Sequence, residues 1–189
     1  MDRDGSNHFD LERRLLSRGS LISRLRCVFL VAVAAGLLLV SAADFAEAAT
    51  FRQGVSAFNR QNYVQASQIF IPFAERGDPA AQTYLGIMFE TGRGVPQNYT
   101  EAAMWYRRAA EQGDSLAQYS LGLLYDRGQG VPQDVVEASK WLNLAAAAAP
   151  PRAREARVRI RDAVTSKMTR GEIAQARLRA LEWVPSRER

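Results

Sequence analysis

The feature that constrains this sequence most is an internal repeat with a period of 36 residues. Residues 81–110 align with residues 117–146, and fourteen of the thirty aligned positions are identical. Repeats of this length are typical of solenoids, in which each unit buries its apolar face against its neighbours. The period therefore predicts an array of stacked units.

A weaker copy of the repeat precedes these two. Residues 61–63 match residues 97–99, and the match continues at scattered alanine, glutamate and glycine positions further along. We therefore predict about three repeats within 49–149, of which the first is degenerate. Their ranges are 51–79, 80–115 and 116–149.

Each unit is predicted to form a pair of helices. A capping box starts the second helix of every unit, with Asn or Asp as the cap and Gln or Glu three residues later; the three pairs are Asn62 with Gln65, Asn98 with Glu101, and Asp134 with Glu137. Gly92 and Gly128 suit the left-handed position that ends a first helix, and Val-Pro in the following loop prevents its continuation. Gly-Asp at 77–78 and 113–114 marks the end of a second helix.

The shared positions form the pattern A-x-x-x-L-G-x-x-[FY]-x-x-G-x-G-V-P-Q-[ND]-x-x-E-A-x-x-W-x-x-x-A-A. This pattern resembles the Sel-one-like repeat, a relative of the tetratricopeptide repeat, over residues 51 to about 149. The resemblance implies an all-α fold, a short right-handed α-solenoid of antiparallel helix pairs. It also implies an adaptor or scaffold for other proteins, and many bacterial members are exported to the cell envelope.

Residues 150–189 are predicted to form a helical cap. An amphipathic helix covers 152–167, and its apolar side consists of Ala153, Ala156, Ile160, Ala163 and Val164. Thr169 with Glu172 forms another capping box, which opens a helix that stops before Pro185. The apolar residues of that helix are Ile173, Ala176, Leu178, Leu181 and Trp183.

The positive charge of the chain is concentrated in this tail. Residues 51–149 carry eight basic and nine acidic side chains, whereas residues 150–189 carry eleven and five. The tail arginines predict a basic surface, consisting of Arg152, Arg154, Arg157, Arg159 and Arg161. This surface is either the solvated outer face of a cap or a contact with acidic envelope polymer or anionic lipid.

The N-terminus has the layout of a signal peptide. Residues 1–26 are polar and basic, and residues 27–40 contain no charge. This apolar run is short for a membrane span, which needs about 20 residues. Small residues follow it and predict cleavage between Ala48 and Ala49, so that residues 1–48 are a signal peptide; an uncleaved signal anchor is the alternative. In both cases the basic flank places the rest of the chain outside the cytoplasm, in the periplasm or otherwise exported.

The residues indicate binding rather than catalysis. Without residues 1–48 the chain has neither Cys nor His, which removes thiol nucleophiles, imidazole bases and nearly all zinc chemistry. The carboxylate pairs Glu90 with Asp126 and Glu101 with Glu137 are each one repeat position seen twice, so they do not form an acid–base pair. Trp105 and Trp141 also share one position and are predicted to pack between helices. No cofactor or metal site is predicted, and the slightly acidic repeats argue against nucleic acid.

A stripe on the first helices is the candidate binding surface. At 100° per residue, one side of each first helix faces away from its core side. In tetratricopeptide-like solenoids the first helices line the concave surface, so the resemblance implies that this stripe faces a groove. We call it the first-helix stripe; it consists of Thr83, Ile87, Glu90, Tyr119, Leu123 and Asp126.

The function predicted from the sequence is that of a non-enzymatic adaptor in the periplasm or cell envelope. Ile87, Tyr119 and Leu123 would anchor a protein or peptide, and Glu90 and Asp126 would favour basic flanks. One alternative is envelope attachment through the basic tail. A cell-wall hydrolase is the weakest alternative, because the sequence offers no paired carboxylate site.

Overall fold

The structure is a computed structural model that describes residues 48–186. The predicted signal segment therefore lies outside the described residues, apart from Ala48. Every regular element of the described part is a helix. The helices are α1 (48–59), α2 (Tyr63–Glu75), α3 (Pro79–Thr91), α4 (Tyr99–Glu111), α5 (Ser115–Arg127), α6 (Val135–Ala147), α7 (Pro151–Thr165) and α8 (Arg170–Leu181).

Consecutive helices pack against each other from α2 to α7. The most extensive contacts are those of α3 with α4 and of α5 with α6, which are the helix pairs of the two strong repeats. The first helices of these repeats, α3 and α5, also contact each other. This arrangement confirms the predicted all-α solenoid of helix pairs.

Glycines shape the loop inside each strong repeat. Gly92 and Gly128 adopt left-handed φ values of 69° and 65°, which confirms their predicted role at the end of a first helix. Two residues later, Gly94 and Gly130 lie against the backbone at the start of the preceding second helix, where a Cβ would collide with a carbonyl oxygen. The loop thus packs each repeat onto the one before it.

Helix starts follow the predicted caps only in part. The Asn98 side chain accepts hydrogen bonds from the Thr100 and Glu101 N–H groups at 3.0 and 3.2 Å, and Asp134 caps α6 in the same way. The capping box also predicts a return hydrogen bond from the Asn98 N–H to the Glu101 side chain. That prediction is wrong, because the Asn98 N–H donates instead to the Phe89 carbonyl at 2.9 Å. A complete capping box occurs at Thr169 and Glu172, as predicted.

The first helices also have caps that the sequence pattern does not single out. Asp78 accepts from the Ala81 N–H at 2.7 Å, and Asp114 accepts from the Ala117 N–H at 2.8 Å. Each Gly-Asp pair therefore ends one helix and starts the next. Asp78 is followed by proline at the first helical position, which is a recognisable helix-start signal.

Two apolar clusters form the core. The N-terminal cluster holds Trp105, and the C-terminal cluster holds Trp141, so both tryptophans are buried as predicted. In the degenerate first repeat, aromatic rings form much of the core. Tyr84 of α3 stacks on Phe70 of α2 with ring centroids 4.6 Å apart, and Phe58 of α1 packs against its edge.

In the tail, the rule that consecutive helices pack together holds for α7 but not for α8. α7 packs against α6, and α8 also packs mainly against α6. Trp183, which follows α8, meets the Trp141 ring at 6.4 Å. The Ser186 N–H donates to the Glu111 carbonyl at 2.8 Å, so the chain after α8 reaches the end of α4.

None of the described helices has both the length and the apolar character needed to cross a bilayer. The apolar run at 27–40 is outside the described residues.

Candidate functional site

The first-helix stripe is only partly open in its first half, on α3. Thr83 is buried, and its hydroxyl donates to the Pro79 carbonyl at 2.9 Å, so this hydroxyl is not offered to a partner. Ile87 is half-buried and packs against the C-terminal cluster. Its exposed part remains on the surface of α3.

Glu90 has an internal partner. The hydroxyl of the fully buried Tyr106 donates to the Glu90 carboxylate at 2.7 Å. Burial raises the pKa of Tyr106 far above its ordinary value, and the hydrogen bond and charge of Glu90 raise it further. The tyrosine therefore stays protonated and holds the Glu90 carboxylate against the repeat.

The second half of the stripe, on α5, is contacted by the tail. The Arg157 guanidinium of α7 lies over the Tyr119 ring, 5.6 Å from its centroid. The Lys167 ammonium lies 3.4 Å from the Asp126 carboxylate, and Leu123 is half-buried. Tyr119 and Asp126 are therefore partnered within the chain, whereas the sequence predicts that they face a partner.

A cleft of about 170 Å³ remains open between α3 and the start of α5. We call it the first-helix cleft; its lining consists of Ala80, Thr83, Tyr84, Ile87, Asp114 and Leu116. Leu116 is the most accessible apolar member, with 41% of the residue exposed. Thr83 and Ile87 of the first-helix stripe thus line the cleft, together with four residues that are not part of the stripe.

Helical periodicity alone does not predict those four residues as members of a binding surface. Ala80 and Tyr84 lie on α3 at one edge of the stripe, while Asp114 and Leu116 belong to the start of the neighbouring first helix. Their approach depends on the packing of α3 against α5. A projection of one helix does not contain that contact.

The predicted basic surface of the tail is wrong for Arg157. Only 8% of this residue is exposed. Its guanidinium donates to the Ser115 carbonyl at 2.9 Å and to the Ala145 carbonyl at 3.2 Å. Burial lowers the pKa of Arg157, and the negative charge of Asp114 opposes that shift.

The burial of Arg157 also corrects the predicted apolar side of α7. Ala156 and Ala163 are exposed, whereas Val164 is buried and Ile160 packs against the C-terminal cluster. The packed side therefore runs through Arg157, Ile160 and Val164. An arginine fits on this packed side because two backbone carbonyls and a tyrosine ring face it.

The other tail arginines are largely paired. Arg159 forms an ion pair with Glu155, Arg161 pairs with Asp162 at 2.7 Å, and Arg154 donates to the Ala149 carbonyl at 3.2 Å. Arg152 is exposed. The carboxylates of Glu155 and Asp162 offset part of the positive charge that the sequence assigns to this surface.

The carboxylates of the second helices have structural partners. Glu137 accepts from Arg179 of α8 at 2.6 Å and from Lys140 at 3.2 Å, so it ties the tail to the second strong repeat. Glu101 lies in the first turn of α4, next to the cap. Among residues 48–186, no group of three or more His, Cys, Asp or Glu side chains is placed to hold a metal ion.

Two further clefts lie away from the first-helix stripe. A polar cleft of about 450 Å³ separates α1 from α2 and is lined by residues such as Gln53, Arg60 and Gln65. An apolar cleft of about 330 Å³ lies between α6 and α8. We call the second one the α6–α8 cleft; its lining consists of Asn143, Leu144, Ala147, Arg177, Ala180 and Leu181.

Comparison with known proteins identifies the repeat. Residues 79–114 and 115–149 each match the family model of the Sel1 repeat. Among curated proteins, none matches the chain at a significant level.

Two solved structures share the fold of the chain. One is a protective antigen of uropathogenic Escherichia coli strains with an SLR fold, which is 31% identical with a TM-score of 0.66 over 72% of this chain and 29% of that chain. The other is a Sel1 repeat protein from Oxalobacter formigenes, which is 30% identical with a TM-score of 0.56 over 72% of this chain and 55% of that chain. This chain therefore covers less than two thirds of either protein.

Proposed function

Because this chain belongs to the Sel1-like repeat family through residues 79–149, we propose that it is an exported, non-enzymatic adaptor that binds a protein or peptide. Sel1 repeat proteins are generally protein-interaction scaffolds. The observation that carries the proposal is the first-helix cleft, an apolar opening between two consecutive repeats with Leu116 and Ile87 on its wall.

The size of the first-helix cleft favours a side chain over a small-molecule cofactor. Pockets for small ligands measure about 300–1,000 Å³, whereas this cleft measures about 170 Å³. An apolar side chain of a partner segment fits such a space and gains free energy from leaving water. Asp114 at the rim favours a partner with basic residues beside the anchor.

Export is part of the proposal and rests on the N-terminal sequence. A basic segment, an uncharged run of fourteen residues and small residues up to Ala48 are the three parts of a signal peptide. The adaptor would then act in the periplasm or at the envelope.

Envelope attachment through the basic tail has less support. Arg157 is buried, and Arg159 and Arg161 have acidic neighbours as partners. Acidic polymer or anionic lipid would have to compete with these pairs. We therefore prefer the adaptor as the function of the chain.

The test of the adaptor uses one change in the cleft and one matched change elsewhere. Leu116→Glu places a charge on the cleft wall at the start of α5, where a negative charge suits the helix N-terminus. Met104→Glu is the control, because Met104 on α4 is exposed to nearly the same extent, 43% against 41%. The natural protein and both variants are crosslinked in intact cells, and the partners recovered with the natural protein are titrated against all three purified proteins.

We expect Leu116→Glu to weaken binding of the recovered partner by about tenfold or more, and Met104→Glu to leave it unchanged. Equal loss with both variants, equal binding by all three proteins, or recovery of no partner would contradict the adaptor assignment.

A further inference from the structure

The outward face of α8 and the segment just after it carry apolar residues that the described chain leaves exposed. Ala176 is fully buried towards α6, whereas Leu178, Leu181 and Val184 are 55%, 84% and 76% exposed. Leu178 and Leu181 lie on one side of α8, and Val184 follows three residues after the helix ends. Large apolar side chains exposed close together mark a candidate interaction site.

The α6–α8 cleft enlarges this surface. Leu181 belongs both to the exposed face and to the wall of the cleft, which also includes Leu144, Ala147 and Ala180. The cleft opens beside the exposed face, so an apolar side chain placed against Leu181 would also reach the cleft.

Charge and spacing show what fits this face. At 100° per residue, Leu181 and Leu178 lie 60° apart in the middle of the exposed face, with Arg177 beyond Leu181 and Glu182 beyond Leu178. The order is symmetric about the midpoint between residues 179 and 180. Two-fold rotation about that midpoint brings Leu178 opposite Leu181, and Arg177 opposite Glu182.

The two charged residues are available for such pairing. Within residues 48–186 neither Arg177 nor Glu182 makes an ion pair. An isologous interface requires a patch that complements itself, and an acidic residue and a basic residue at mirrored positions meet that requirement.

We propose that the chain forms a two-fold dimer in which α8 packs antiparallel against α8 of a second copy. Leu178 and Leu181 form the apolar seam, and two Arg177–Glu182 pairs flank it. Leu178 of each copy lies at the mouth of the α6–α8 cleft of the other. The first-helix cleft, on α3 and α5, is formed by other helices, so the dimer and the adaptor function can be tested separately.

The first test measures the mass of the protein. The chain as cells produce it is purified, and its mass is followed by sedimentation equilibrium over a range of concentrations. Leu181→Glu introduces two charges into the seam, and its position is so exposed that the fold of one copy is barely affected. Val64→Glu on α2 is the control, since Val64 is 60% exposed and lies on another helix.

We expect a concentration-dependent dimer for the natural sequence and for Val64→Glu, and a dissociation constant raised by about tenfold or more for Leu181→Glu. A single monomeric mass for the natural sequence overturns the proposal. A dimer that tolerates Leu181→Glu, or one that both variants weaken equally, overturns it as well.

The second test checks the antiparallel register. Arg177→Glu and Glu182→Arg each replace two attractive contacts by two repulsive ones, so each should weaken the dimer by about tenfold. The double variant exchanges the charges and should restore the natural dissociation constant. Additive weakening in the double variant would rule out the register.

Discussion

At the scale of single residues, Arg157 connects the tail to the repeats. Its guanidinium donates to the Ser115 carbonyl of α5 and to the Ala145 carbonyl of α6, and it lies over the Tyr119 ring. An arginine suits this position because its planar, charged group donates several hydrogen bonds in fixed directions. The tail is thereby held on the last strong repeat by a buried polar contact as well as by apolar packing.

Replacing Arg157 therefore tests how the tail is held. Arg157→Met keeps the packing of the stem but removes the buried hydrogen bonds to the Ser115 carbonyl and to the Ala145 carbonyl in the last turn of α6, so we expect the free energy of unfolding to fall by about 2–4 kcal/mol. Denaturation by urea, followed by circular dichroism, measures this change. Arg159→Ala is the control, because Arg159 is exposed and its pair with Glu155 is expected to contribute less than about 1 kcal/mol. Equal effects of the two changes would show that the buried contact stabilises the protein no more than an exposed ion pair does.

At the scale of helices, the start of each second helix is held from two directions. The Asn98 side chain accepts from the first-turn N–H groups of α4, while its own N–H donates back to the Phe89 carbonyl of α3. Asp134 does the same with Tyr125 of the next repeat. The cap residue therefore joins the two helices of a repeat, and this second bond replaces the one that Glu101 was expected to make.

This arrangement predicts unequal effects at the two residues of the expected capping box. Asn98→Ala removes the acceptor for two N–H groups and should lower the free energy of unfolding by about 1 kcal/mol. Glu101→Ala removes only a favourable charge near the helix start and should cost about 0.5 kcal/mol. Thermal and urea unfolding of both variants measure the difference. A larger loss with Glu101→Ala would indicate that a reciprocal capping box forms in solution.

At the scale of the whole molecule, the two strong repeats are flanked by different elements. On the N-terminal side, aromatic rings of α1 and α2 pack around Tyr84. On the C-terminal side, α7 and α8 pack against α6, while the outward face of α8 stays exposed. The first-helix cleft lies between these flanking elements, where α3 meets α5.

Export concerns the chain as a whole and can be measured directly. We expect the protein recovered from the periplasmic or envelope fraction to begin at Ala49, because an apolar run of fourteen residues is too short to remain as a span. N-terminal sequencing and intact mass determine the start. Recovery of residues 27–40 with the membrane fraction would show an anchor, and recovery from the cytoplasm would contradict export.

The sequence by itself determined the repeat period, the helix pairs, the left-handed glycines and the burial of both tryptophans. These features depend on residues within one unit and on its nearest neighbour, and a solenoid repeats those local relations. The same reasoning identified Thr83 and Ile87, which do line the first-helix cleft.

The tertiary structure decided which surfaces stay open. The sequence predicts that Arg157, Tyr119 and Asp126 face outward. In the structure, α7 brings Arg157 to Tyr119, 38 residues away in the chain. Lys167, just after α7, reaches Asp126, 41 residues away. Leu116 joins the cleft only because α5 packs beside α3. Helical periodicity gives the direction in which a side chain points around the axis of its helix. The residues that the side chain contacts depend on how helices distant in the sequence pack, and no periodic pattern in the sequence records that packing.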